Sequence, residues 1–113
     1  MQKARVWLSY DLGVGGDYEG LYTFLDTLGA KECGDSLAFF EYEYESDLES
    51  ELKEEIREKV SLNKDDRIYI IATYYTQEGK KKLVAKFLYG KRKRPPWQGY
   101  AKVEYDDVLD IQE

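Results

Sequence analysis

Apolar residues recur along this chain with two different periods, and the switches between them mark out its elements. From Ala4 to Tyr10, Val6, Leu8 and Tyr10 alternate with Arg5, Trp7 and Ser9, which predicts a strand with one buried face. Asp11 ends it, and Gly13-Val14-Gly15-Gly16 follows as a loop. The spacing then becomes helical: Tyr18, Leu21, Tyr22, Leu25 and Leu28 share one face, behind Asp17 as N-cap and before Gly29 as the stop. Gly20 in the first turn weakens this helix slightly. Ala30–Cys33 predicts a short strand, Gly34-Asp35 a tight turn, and Ser36–Tyr44 a longer strand. In that strand Phe40, Tyr42 and Tyr44 face one way and Glu41, Glu43 and Glu45 the other.

Ser46-Asp47-Leu48-Glu49 matches a capping box, and Leu48, Leu52, Ile56 and Val60 continue as the apolar stripe of a second helix. Arg67–Tyr75, dense in β-branched and aromatic residues, is the clearest strand of the chain. The order to this point is β-α-β-β-α-β, which predicts an α+β fold, a ferredoxin-like βαββαβ sandwich. Leu83–Tyr89 predicts an added C-terminal strand or hairpin, Pro95-Pro96 break regular structure, and Gln98–Glu104 can form a last short strand. The length of 113 residues suits a single domain. Its expected parts are a core over 4–75, a basic C-terminal extension over 76–104 and an acidic tail over 105–113. Whether the added strand pairs within the chain or with a second copy is open at this level.

Charge changes this picture by dividing it. The net charge is −6, yet Gly79–Val103 holds no acidic residue and carries Lys80, Lys81, Lys82, Lys86, Lys91, Arg92, Lys93, Arg94 and Lys102. Glu41–Asp66 and the stretch from Glu104 onward are acidic. Such asymmetry suits an oriented partner. Eleven tyrosines suggest half-buried strand faces and a surface that pairs with another chain, because the ring is apolar and its tip polar. The absence of histidine excludes a Ser/His/Asp arrangement and a Cys/His metal site. A single cysteine, Cys33, excludes an internal disulfide and fits a reducing compartment. The N-terminal residues lack a signal-peptide apolar region, and no apolar run approaches the roughly 18 residues of a spanning helix. A cytoplasmic chain with no membrane partner is expected.

Four stretches carry candidate chemistry. Asp11, at a strand end before a glycine loop, can bind Mg²⁺, with Asp17 assisting from across the loop; the alternative is that Asp11 starts a turn. Gly13–Gly16 can cradle phosphate or form a strand-to-helix turn, and it matches no phosphate-loop fingerprint. Lys91, Arg92, Lys93 and Arg94, followed by Trp97, can hold nucleic acid through phosphates and stacking. They can equally meet an acidic protein surface or guard an edge strand. The carboxylates Glu41, Glu43, Glu45, Asp47 and Glu49 can bind metal, or form a solvated strand face running into a helix start.

Several strings resemble the small CRISPR-associated Cas-two proteins and the related VapD-type ribonucleases. They are Leu8-Ser9-Tyr10-Asp11, Leu28-Gly29-Ala30, Ser36-Leu37-Ala38-Phe39-Phe40-Glu41, and the Lys/Glu-rich helix followed by Asp65-Asp66-Arg67-Ile68-Tyr69-Ile70. The resemblance covers about 4–75. It implies a ferredoxin-like homodimer, a metal-bound aspartate at Asp11, and either nuclease activity on RNA or DNA or a nucleic-acid scaffold role. Two Asp11 carboxylates would share Mg²⁺ and activate water on a phosphodiester. The loop after Asp11 lacks the basic residues the family often has there, and the Lys80–Tyr100 extension is unlike a short family tail. A non-catalytic adaptor acting through the basic arm is therefore the alternative.

Overall fold

The computed structural model describes residues 1–101. The elements are β1 (Gln2–Asp11), α1 (Tyr18–Thr27), β2 (Lys31–Glu32), β3 (Leu37–Tyr44), α2 (Leu48–Lys59), β4 (Arg67–Tyr75) and β5 (Lys81–Tyr89). The five strands form one antiparallel sheet in the order β2-β3-β1-β4-β5. Thus α1 carries the chain from β1 past β3 to the far edge, and α2 carries it from β3 past β1 to β4. The fold is a mixed α+β domain.

The two-residue period decides which face is buried. Ala4, Val6 and Leu8 of β1, Ala38, Phe40, Tyr42 and Tyr44 of β3, and Ile68, Ile70 and Ala72 of β4 are all buried. Leu21, Phe24 and Leu25 of α1 and Leu48, Leu52 and Ile56 of α2 join them in the same core. Each fully buried aliphatic or aromatic side chain contributes about 1.5–3 kcal/mol. The alternate residues form an open face that the helices leave uncovered. Trp7 packs on Phe39 there with ring centroids 5.0 Å apart, while Ile71 is 41% and Leu83 66% exposed.

The helix starts show what patterning alone misses. Asp17 caps α1 as expected. Gly20, expected only to weaken the helix, is required: a Cβ there would lie 2.7 Å from the Lys59 carbonyl oxygen, where α1 approaches the end of α2. The expected capping box at Ser46 and Glu49 is replaced. Asp47 is the N-cap residue, and the Glu51 carboxylate accepts the backbone N–H groups of Glu45, Ser46 and Asp47. Glu49 instead accepts from Lys86 of β5 at 2.8 Å.

β5 pairs within the chain, through a hairpin turn in which Thr76 N–H donates to the Lys80 carbonyl at 2.8 Å. Its Leu88 reaches the core. Gln98–Ala101 is turn rather than strand. The rest of that expected strand and the acidic tail lie outside the described residues.

Candidate functional site

Antiparallel pairing brings the end of β1 beside the start of β4, with Asp11 opposite Arg67 and Ser9 opposite Tyr69. A register shift between Ile68 and Tyr69 then sets Phe87 of β5 opposite Tyr69. Ser9, Asp11, Arg67, Tyr69 and Phe87 therefore line one corner of the open face. Beyond β5 the chain turns back, and Arg92 completes a cleft of about 300 Å³.

One wall of the cleft is an ion pair. Nε of Arg67 donates to Oδ2 of Asp11 at 3.1 Å, and Nη2 donates to the same oxygen. Oδ1 has no hydrogen-bond partner among the described residues. With the Asp11 side chain 57% and Arg67 25% exposed, the pair contributes at most about 1 kcal/mol to stability. The floor is aromatic: Tyr69 and Phe87 meet edge-to-face at 4.8 Å. The Arg92 guanidinium lies over both, 5.5 Å from the Phe87 centroid and 6.0 Å from that of Tyr69. A cation on aromatic faces, an ion pair with a spare acceptor and the Ser9 hydroxyl thus surround one small space.

A buried carboxylate holds this corner. Asp66 is fully buried, and its two oxygens accept the N–H of Gly13 and the N–H of Asn63, each at 2.7 Å. It ties the loop after Asp11 to the loop before Arg67. Gly90 packs against the same residue: a Cβ there would meet the Asp66 carbonyl oxygen at 2.6 Å, and its φ of 80° favours glycine.

Asp17 is engaged elsewhere. Its oxygens accept from Ser61 N–H at 2.8 Å and Gly20 N–H at 3.0 Å, and these two bonds, Ser61 first, hold its carboxyl below the usual range. It does not line the cleft. Among the described residues Asp11 alone offers an acidic ligand there, with Arg67 on one oxygen, and no cluster of three His, Cys, Asp or Glu could hold a metal.

The Gly13–Gly16 loop closes on itself, Gly16 N–H donating to the Gly13 carbonyl at 2.9 Å. The acidic run is dispersed among structural roles: Glu43 lies 4.0 Å from Lys3, and Glu49 pairs with Lys86. Of the basic arm, only Arg92 lines the cleft. Lys91, Lys93 and Arg94 are exposed beside it, and Nε of Arg94 donates to the Gln98 side chain at 3.2 Å. Trp97, 72% exposed, begins a turn closed by Tyr100 N–H on its carbonyl.

Sequence reasoning missed Arg67, Tyr69, Phe87, Ser9 and the buried Asp66. The signal for Arg67 was present: in an antiparallel β1–β4 pair, the last charge of one strand meets the first of the other. Asp66 had none beyond its place in an acidic doublet.

Against this geometry, no family model, curated protein or solved structure matches the chain. No helix among the described residues is long and apolar enough to cross a membrane.

Proposed function

We propose that this chain is a Cas-two-like, nucleic-acid-binding homodimer that acts without catalysis, through the corner cleft and the basic arm beside it. The observation that carries the reading is Arg92, whose guanidinium lies on the aromatic floor of the cleft while Lys91, Lys93, Arg94 and Trp97 continue from it. Cations that neutralise phosphate supply affinity, and aromatic faces hold bases. The order β2-β3-β1-β4 with two crossover helices supports a ferredoxin-like body to which β5 is added as a hairpin. The apolar centre of the open face, Trp7, Phe39 and Ile71, suits contact with a second copy.

The test is titration of labelled RNA and DNA oligonucleotides at low and high salt, beside a variant carrying Lys91→Gln, Lys93→Gln and Arg94→Gln. Binding that falls with salt and weakens about tenfold in the variant is expected. An unchanged affinity in the variant, or no binding by the native chain, overturns the reading.

A metal-dependent endonuclease is the second reading, favoured by the exposed Oδ1 of Asp11, which has no partner among the described residues. Arg67 opposes it, since a guanidinium on the same carboxylate repels a cation. Cleavage that needs Mg²⁺ and disappears in Asp11→Asn would establish it; cleavage that survives that substitution sinks it.

A further inference from the structure

The cleft and the arm differ in what they can recognise. The arm is a row of exposed cations followed by one tryptophan. Such a row reads phosphate, which single strands and duplexes both present. The cleft has another character. Its floor is Tyr69 and Phe87, its cover the Arg92 guanidinium, and its wall the Asp11–Arg67 pair. A volume near 300 Å³ is at the small end of ligand sites, room for one ring-sized group and not for a helix. We infer that the cleft captures a single unpaired nucleobase, set against the Arg92 guanidinium and the Tyr69 and Phe87 rings, with its pairing edge toward Asp11 and Arg67. This rests on the nucleic-acid reading above and narrows it to strand state.

Three arguments lead there. The carboxylate at the wall repels phosphate oxygens, so the Asp11 end of the cleft suits the base rather than the backbone. The Oδ1 of Asp11, unpartnered among the described residues, is an acceptor, and the Arg67 guanidinium beside it is a donor. Every unpaired base carries an N–H and an acceptor on its pairing edge, whereas in a duplex both are consumed. The fork therefore selects unpaired over paired bases and does not choose among the four. Finally, a chain of net charge −6 is repelled at long range by the phosphates of single strands and duplexes alike, which leaves stacking and edge contacts to discriminate.

The test uses the whole chain and three probes of one sequence: a single strand, its duplex, and the single strand with abasic positions in place of bases. The abasic strand keeps its phosphates, so it isolates base capture without touching the protein fold. The single strand is expected to bind roughly tenfold or more tighter than the other two. Phe87→Leu is expected to erase that preference, read as the ratio of single-strand to abasic-strand affinity. Equal binding of native and abasic strands, or duplex binding as tight as single-strand binding, overturns the inference and leaves the nucleic-acid reading standing. Binding of none of the three removes both.

Discussion

The two faces of the sheet are built from the same strands and behave as different materials. On the covered face, Val6, Leu8, Ile68, Ile70 and Ala72 have no exposed surface, and two helices close over them. On the open face, their immediate neighbours Trp7, Ser9, Tyr69 and Ile71 meet solvent, charge and the cleft. Only side-chain direction separates the two sets, because successive residues of a strand point to opposite faces. One face carries the stability and leaves the other free to hold charged and aromatic groups that a core would reject.

The sharpest way to break that contrast is to open the covered face. Phe40→Ala removes a ring that packs edge-on against Phe24 and Tyr42, with centroids 6.2 and 6.3 Å away. A loss of about 3–5 kcal/mol in urea unfolding is expected. Asp66→Ala comes next. It strands the N–H groups of Gly13 and Asn63 in a buried corner, for an expected loss of about 2–4 kcal/mol, together with weaker single-strand binding as the cleft loosens. Unaltered stability would mean that water replaces the carboxylate.

A pH experiment probes how the helical layer is fastened. The Glu51 carboxyl is held below its ordinary range by the N–H groups of Glu45, Ser46 and Asp47 at the start of α2. A depressed folded-state pKa stabilises above the unfolded value and loses that contribution as pH falls through the folded one. The native chain should therefore exceed Glu51→Gln in unfolding midpoint at neutral pH, and the gap should close below about pH 4. A gap that persists in acid refutes the assignment. The smallest effect belongs to the open face: Leu83→Thr, at a 66% exposed position, should change protomer stability by no more than about 0.5 kcal/mol. A larger, concentration-dependent loss would show that the proposed contact with a second copy extends from Trp7, Phe39 and Ile71 out to β5.

The covered face was largely legible from the chain. Alternation in 4–10 and 36–44 and the stripe Leu48, Leu52, Ile56, Val60 each report a local period, and a local period is what sequence displays. Arg67–Tyr75 matched β4 residue for residue. The cleft was less legible because it depends on register. Phe87 meets Tyr69 only through the irregularity beside Ile68, and Arg92 reaches their rings only through the bend at Gly90. Glu51 took the capping role expected of Glu49 because three N–H groups converge on its carboxylate, while Glu49 found a lysine on a strand nearly forty residues away in sequence. The Tyr10 phenol, pushed up to about 12 by burial and by its hydrogen bond with Tyr22, is another product of tertiary neighbours.

Gly90 carries a consequence of its own. Its backbone bend is set by the close approach of the Asp66 carbonyl, not by any side chain of the arm that follows. The elbow and what hangs from it are therefore separable parts. Residues 91–97 behave as an exchangeable attachment on a fixed mount: their composition can change while the first of them still emerges beside the cleft. Arg92 is the exception, because its guanidinium packs on Tyr69 and Phe87 of the sheet; the exposed Lys91, Lys93 and Arg94 are the positions open to rewriting.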